Sequence, residues 1–243
     1  MSFATEVQRL RKRWKALSQQ GDRTSLTHKV IDKLAVYAQF PFRQRQFEGR
    51  CFSFAGKSLP YVIHHYNATW RNERCVELAV ALDFLKECKN RKVLELGNVL
   101  AYYGDVSHDV VDKYEEAEGI FNIDFVKFNP QKPYDAFLSI STLEHIGWDE
   151  PKRDPTKISK ALSKIKDLVT HKDQVLVSFP LGYNDHLDQL VQDEGLPFQT
   201  SYYYIRISES NEWSQVSKGE ALSKKYGSKF EGANSLYFGM GLS

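Results

Sequence analysis

From residue 92 onward the chain alternates short apolar runs with polar, helix-patterned stretches, and this rhythm restricts the fold more than any single motif. "KVLELG" (92–97), "HDVVDKY" (108–114), "GIFNIDFV" (119–126), "YDAFLSIS" (134–141) and "DQVLVSFP" (173–180) each read as a strand. Strands this continuously apolar are covered on both faces. Strand–helix alternation therefore predicts an α/β, Rossmann-like, mostly parallel sheet with helices on both faces. "SYYYIRIS" (201–208) and "SLYFGMGL" (235–242) supply two late strands, closing the sheet with an antiparallel arm. A helix is expected from Pro155 with Asp154 as its N-cap, and a short one around His186–Gln192.

The first 70 residues follow other rules and are expected to form an N-terminal extension to an α/β domain spanning 71–243. Phe3, Val7, Leu10, Trp14 and Leu17 recur at helical spacing, predicting a first amphipathic helix. A second is expected from about Ser25, with Leu26, Val30, Ile31, Leu34 and Tyr37 on one side and Pro41 as its stop. "RCFSF" and "LPYVIH" flank the turn "AGKS" as a β-hairpin, with Pro60 marking an edge strand. A phosphate loop is excluded there, because Cys51 stands where that motif needs glycine. A third helix is expected from Asn72 to about Lys89, with Cys75, Leu78, Leu82 and Leu85 inward.

Charge divides along the same line. Residues 1–50 hold 11 Lys and Arg against 4 Asp and Glu, while the remainder carries 22 against 27. The basic segment either meets an anionic partner or docks on its own acidic body or a second copy, so a homodimer through the N-terminal helices is an expectation. Three cysteines without CxxC spacing fit neither a disulfide framework nor a zinc site, and no metal is expected. No apolar run approaches the roughly 20 residues of a membrane span, so a cytoplasmic protein without a membrane partner is expected. Aromatic residues do not interleave "RLRKRWK" as they would on a stacking surface, and nucleic acid is not an expected partner.

In open α/β sheets, ligands bind outside the carboxyl ends of the strands. Those ends carry Glu95, Gly97 and Asn98 after the first strand, Asp112 after the second, Asp124 after the third, and Ser141, Thr142, Glu144 and His145 after the fourth. Tyr183 and Asn184 follow the fifth. Acids at successive strand ends suit an adenosine-containing cofactor. A carboxylate after the second strand accepts from ribose hydroxyls, and one after the third accepts from the adenine amino group while Phe125 packs on the ring. Gly97 lets the backbone approach the ligand.

"VLELGN", "VVD", "NIDFVKF", "LSISTLEHIGWDE" and "VSFPLGYN" resemble, in order and spacing, the motif series of class I S-adenosylmethionine-dependent methyltransferases, over roughly residues 70–243. "YNATWRNER" is similar to the lead-in of a bacterial branch of methyltransferase-like proteins. The resemblance implies a seven-stranded sheet of order 3-2-1-4-5-7-6 with strand 7 antiparallel, and S-adenosylmethionine as cofactor. It places Glu95 and Gly97 near the methionine part, Asp112 at the ribose, Asp124 at the adenine, and Ser141 and Thr142 in the methyl-transfer pocket. Where the family carries further glycines after the position of Gly97, this chain has "NVLAYYG"; Asn98 is expected to take a left-handed backbone in their place. A nicotinamide oxidoreductase is disfavoured, since GxGxxG is absent.

The expected activity is methylation of a small molecule, at a sugar or natural-product hydroxyl, with His145 as base and Glu144 beside it. His145 can equally pack as a helix-start histidine, and Glu144 can equally cap. Arg74 either pairs with the cofactor carboxylate or makes an ion pair with Glu73 or Glu77. The alternative is a catalytically silent binding or adaptor protein on the methyltransferase fold.

Overall fold

A computed structural model describes residues 23–243, with side chains from residue 32 onward. The expected first helix, around Phe3–Leu17, lies outside the described residues. Helix α1 (Arg23–Phe47) runs through Pro41 instead of stopping there. An interior proline costs about 3 kcal/mol, so the last turns need an anchor. Phe47 provides it: its ring is buried 5.7 Å from Tyr61, and the Arg50 guanidinium lies 4.3 Å above it. The stripe facing the body is Val36, Phe40 and Phe47. Leu34, expected inward, is 63% exposed.

Strands β1 (Cys51–Phe54) and β2 (Lys57–Pro60) form the expected antiparallel hairpin. Ala55 and Gly56 both take positive φ (49° and 77°), as a two-residue hairpin turn of matching twist requires. Phe52 and Phe54 pack this hairpin onto the main sheet, where Phe54 lies 5.2 Å from Phe238.

The main sheet contains β3 (Val93–Leu96), β4 (Asp109–Asp112), β5 (Ile120–Asn122), β6 (Ala136–Ile140), β7 (Val175–Pro180), β8 (Phe198–Arg206), β9 (Trp213–Gln215) and β10 (Ser235–Leu242). Its order is β5-β4-β3-β6-β7-β10-β8-β9. The first five are parallel, and β10 runs antiparallel to both β7 and β8. With β9 set aside, this is the expected 3-2-1-4-5-7-6 order of the class I methyltransferase fold. The sheet has eight strands instead of seven, because β9 pairs antiparallel outside β8. Trp213 anchors it, buried and donating its backbone N–H to the Tyr61 hydroxyl at 3.0 Å.

Strict alternation along the strands builds two cores. Leu138, Ile140 and Leu176 face α2 (Arg74–Glu87) and the hairpin. Phe137, Val175, Val177 and Phe179 face α3 (Thr156–Leu168) and α4 (Asp185–Gln192), with α5 (Lys218–Leu222) beyond. The cap position of α3 falls on Pro155, one residue after the expected Asp154, which still accepts from the Thr156 N–H at 3.0 Å. In α2 the inward set is Cys75, Leu78, Ala81 and Phe84, whereas Leu82 is 44% exposed. Helix α2 is covered by the sheet on one side and by the hairpin and lead-in on the other, so burial does not follow a single stripe. Between β3 and β4 a single 3-10 turn, Leu100–Tyr102, stands where a crossover helix would. No helix among the described residues is long and apolar enough to cross a membrane.

Candidate functional site

The carboxyl edge of the sheet opens into a cavity of about 370 Å³ lined by the ends of β3 and β4, the loops after β3, β4, β5 and β6, and Lys157 of α3, within the ~300–1,000 Å³ range of small-molecule sites. Gly97, Asn98, Asp112, Asp124, Phe125, Ser141, Thr142 and His145 all line it. Eight sequence-selected residues thus converge on one space. Glu95, Glu144 and Arg74 lie behind its walls.

The loop after β3 explains how the chain manages without further glycines. Glu95 is fully buried, and its Oε1 accepts from the backbone N–H groups of Val99 (3.0 Å) and Leu100 (2.9 Å). Its Oε2 meets His108 Nε2 at 2.6 Å. Asp112 accepts from Asn98 N–H through Oδ2 (3.1 Å), and from Tyr114 and Glu115 N–H through Oδ1 (2.8 and 2.9 Å). Carboxylates therefore fold this loop and consume its donors, so it is no anion cradle. The left-handed residue is Gly97 (φ 86°), not Asn98. A Cβ on Gly97 would lie 2.1 Å from Thr142 Oγ1, so glycine is required by both backbone and packing.

Asp124 sits in a cage of charge. It accepts from the Val126 N–H at 3.3 Å and pairs with Lys157 (2.5 Å) and Lys113 (3.3 Å), both of which also reach Glu150. Burial alone would raise Asp124, but the two lysines outweigh it and hold its carboxyl below the usual range. Phe125 is buried, packing on Phe137 at 5.8 Å between ring centres.

After β6, Ser141 adopts a positive φ of 36° in a buried position, a strained conformation of the kind found at functional sites. Its hydroxyl donates to Glu77 at 2.7 Å, as does that of Ser178, and Arg74 pairs with the other Glu77 oxygen at 2.6 Å. Arg74 therefore satisfies a buried carboxylate in the wall. Thr142 donates to the Ile140 carbonyl at 3.0 Å. His145, with its side chain 44% exposed, bonds Asp149 through Nδ1, and its Nε2 lies 3.5 Å from Glu144. The Tyr183 hydroxyl donates to the same Asp149 oxygen at 2.6 Å, and its ring stands edge-on to His145. Burial would raise Asp149, but the bonds from Tyr183 and His145 keep it below the usual range. Glu144 is 1% exposed; burial, with Glu77 nearby, pushes its carboxyl well above the usual range. His186 donates its backbone N–H to the Asn184 cap at the start of α4.

Two polar atoms here are buried without a partner among the described residues: Asn98 Oδ1, on a cavity-lining side chain, and Glu144 Oε2. Such an atom costs about 1–3 kcal/mol until a donor meets it. Asn98 thus marks a place where a ligand's polar hydrogen fits. A carboxylate offers about four acceptor sites, so Asp112 keeps capacity for a hydroxyl despite its backbone bonds. On these grounds the residues present fit an adenosine cofactor. Sequence reading missed His108, Lys113, Asp149 and Lys157. Glu77 entered it as one possible ion-pair partner of Arg74, and the structure makes that pair.

No family profile matches the chain, and no curated protein matches it. Several solved structures are similar to it at low identity. The N-methyltransferase NodS from Bradyrhizobium japonicum WM9 is 10% identical, with a TM-score of 0.40 over 69% of this chain and 97% of that one. A 1,6-didemethyltoxoflavin-N1-methyltransferase from Burkholderia thailandensis, with its substrate and S-adenosylhomocysteine bound, is 15% identical, with a TM-score of 0.40 over 79% and 98%. The 16S rRNA methylase RmtB is 14% identical, with a TM-score of 0.38 over 96% and 88%.

Proposed function

We propose that the chain is an S-adenosylmethionine-dependent methyltransferase acting on a hydroxyl of a small molecule, a sugar or natural product, in the cytoplasm. The observation that carries this reading is one cavity at the carboxyl ends of β3, β4, β5 and β6 on which the cofactor-type residues converge. Asp112 would hold the ribose, Asp124 and Phe125 would flank the adenine, and Gly97 and Asn98 would lie beneath the amino-acid part, with Ser141 and Thr142 facing the methyl. When bound, the cofactor supplies an electrophilic methyl group. The chain must then align the acceptor with it, which supplies much of the acceleration, and remove the hydroxyl proton. His145 would serve that step: Asp149 fixes its Nδ1, as an orienting acid does in other nucleophile–base pairs, and Nε2, 3.5 Å from Glu144, would take the proton. Glu95 and Arg74 act as positioning residues, the first for the loop and the second for Glu77.

A second reading, a binding protein without turnover, draws on the engagement of Asp112 and Asp124 by the chain's own donors. Transfer of an isotopically labelled methyl group to a panel of hydroxyl acceptors separates the two. We expect His145→Ala to lower turnover by roughly 10²–10⁴ without weakening the cofactor. Wild-type rates in that variant would remove His145 from the chemistry. Cofactor binding with no transfer to any acceptor would establish the second reading.

A further inference from the structure

The link from β3 to β4 has one 3-10 turn where parallel strands usually have a crossover helix to brace them. That turn ends in two tyrosines, and both are engaged from outside the loop. The Tyr102 hydroxyl donates to Glu115, 2.7 Å from each carboxylate oxygen. Tyr66, from the N-terminal extension, lies flat on the Tyr102 ring, with centroids 4.5 Å apart and planes 12° from parallel. Tyr103 stands edge-on to Tyr66 at 5.4 Å and to His64 at 5.2 Å.

These contacts close a circuit around one carboxylate. Asn98 N–H donates to Asp112 Oδ2, and Glu115 N–H donates to Asp112 Oδ1. The Glu115 side chain in turn receives Tyr102, which belongs to the same loop as Asn98. Asp112 is therefore held between two residues that Tyr102 ties together. In a hydrogen-bonded ring of this kind each bond supports the others, and the loss of one member loosens the rest. Asp112 and Asn98 line the cavity, whereas Tyr66, Tyr102 and Glu115 do not. Whatever these three do for a ligand passes through the placement of Asp112 and Asn98.

The delivery of Tyr66 involves backbone strain. It precedes two successive left-handed residues, Asn67 and Ala68 (φ 56° and 43°), and alanine holds that conformation only where its surroundings impose it. The turn is anchored from below by the fully buried Thr69. Its Oγ1 accepts from the His64 N–H and donates to the Val62 carbonyl, both at 2.8 Å.

We propose that Tyr102 and Tyr66 are positioning residues of the cavity, locking Asp112 and Asn98 in the geometry that receives the cofactor. The word cofactor rests on the methyl-transfer reading; the locking of Asp112 does not. The N-terminal extension is thereby a working part of the site, because it supplies Tyr66.

Amide hydrogen exchange and calorimetric titration with S-adenosylhomocysteine, both on the full-length protein, test this. Tyr102→Phe keeps the ring stack and loses only the hydroxyl. Exchange at the Asn98 and Glu115 amides should quicken about tenfold in it while β6 amides keep wild-type rates, the mark of local opening. S-adenosylhomocysteine should bind roughly three- to tenfold more weakly. Glu115→Gln, which keeps an oxygen for the hydroxyl, should bind near wild type. Combining Glu115→Ala with Tyr102→Phe should cost no more than the larger single loss. Tyr66→Leu removes the stack and should weaken binding roughly two- to tenfold. Unchanged exchange at Asn98, quickening that spreads equally to β6, additive losses in the double variant, or undiminished S-adenosylhomocysteine affinity in Tyr102→Phe and Tyr66→Leu would overturn the proposal. Faster Asn98 exchange in Tyr102→Phe, in a protein that ignores S-adenosylhomocysteine, would sustain the lock and defeat the methyl-transfer reading alone.

Discussion

The loops after β3 and β6 leave neighbouring strands of one sheet and touch at Gly97 and Thr142, yet different groups hold them. After β3, the N–H groups of Asn98, Val99 and Leu100 go to side-chain carboxylates. After β6, the chain satisfies itself: His145 N–H bonds the Thr142 carbonyl at 3.1 Å, and Trp148 and Asp149 N–H bond the His145 carbonyl at 3.1 and 3.2 Å. In the first loop the acids are occupied by architecture. In the second, Glu144, His145 and Asp149 remain for one another and for a ligand. Carboxylates shape the first loop, and the second leaves titratable side chains at the cavity.

The largest difference should appear in stability. Glu95→Ala strips two buried backbone donors and His108 of their acceptor, and we expect a loss of about 3–5 kcal/mol by urea unfolding. His145→Ala removes a half-exposed ring and should cost under about 1 kcal/mol. Similar losses in the two variants would erase the contrast between the loops.

Gly97→Ala tests their contact. It places a side chain at positive φ, costing about 1–2 kcal/mol, and drives a methyl group into Thr142, costing about 1–3 kcal/mol more. Adding Thr142→Ala should recover only some of the second part, because the Cβ of residue 142 stays 2.9 Å from the new methyl group. Full recovery in the double variant would mean that the backbone conformation of Gly97 is not required.

The smallest effects are pH-dependent and opposite in sign. Asp124 is held low by its lysines, so its contribution is complete above the ordinary carboxylate range near pH ~4 and is lost as pH falls through the lower folded-state value. The melting deficit of Asp124→Asn should therefore be full at pH 7 and shrink toward pH 3. Glu144 is raised by burial, so its favourable contribution exists at low pH and is lost as pH rises through the elevated folded-state value. Glu144→Gln should melt progressively above wild type as pH climbs from 4 to 8. Parallel trends in the two variants would contradict these environments.

The central strands were legible because they are buried on both faces, so apolar runs such as Val93–Leu96 and Ala136–Ile140 stand out without periodicity. Strand β9 was not: three residues carry too little pattern, and Trp213 acquires its meaning from Tyr61, far away in sequence. Proline suggested an end to α1 that Phe47 overrides through tertiary packing. Leu82 looked inward by spacing, but a helix covered on two sides has no single buried stripe. At the site, residue type and strand-end position were enough to gather Gly97, Asp112, Asp124 and Thr142. Which oxygen of Asp112 or Glu95 serves the backbone depends on loop geometry, and sequence does not encode that locally.

Calorimetric titration with S-adenosylhomocysteine tests the central claim, that the cavity between these loops holds the cofactor. Wild type should show one saturable site. Asp112→Asn keeps an acceptor for the backbone but removes the charge, and should weaken binding by about 1.5–3 kcal/mol, roughly ten- to more than a hundredfold. A folded wild-type protein giving no binding, or Asp112→Asn and Asp124→Asn variants binding as tightly as wild type, would contradict the account.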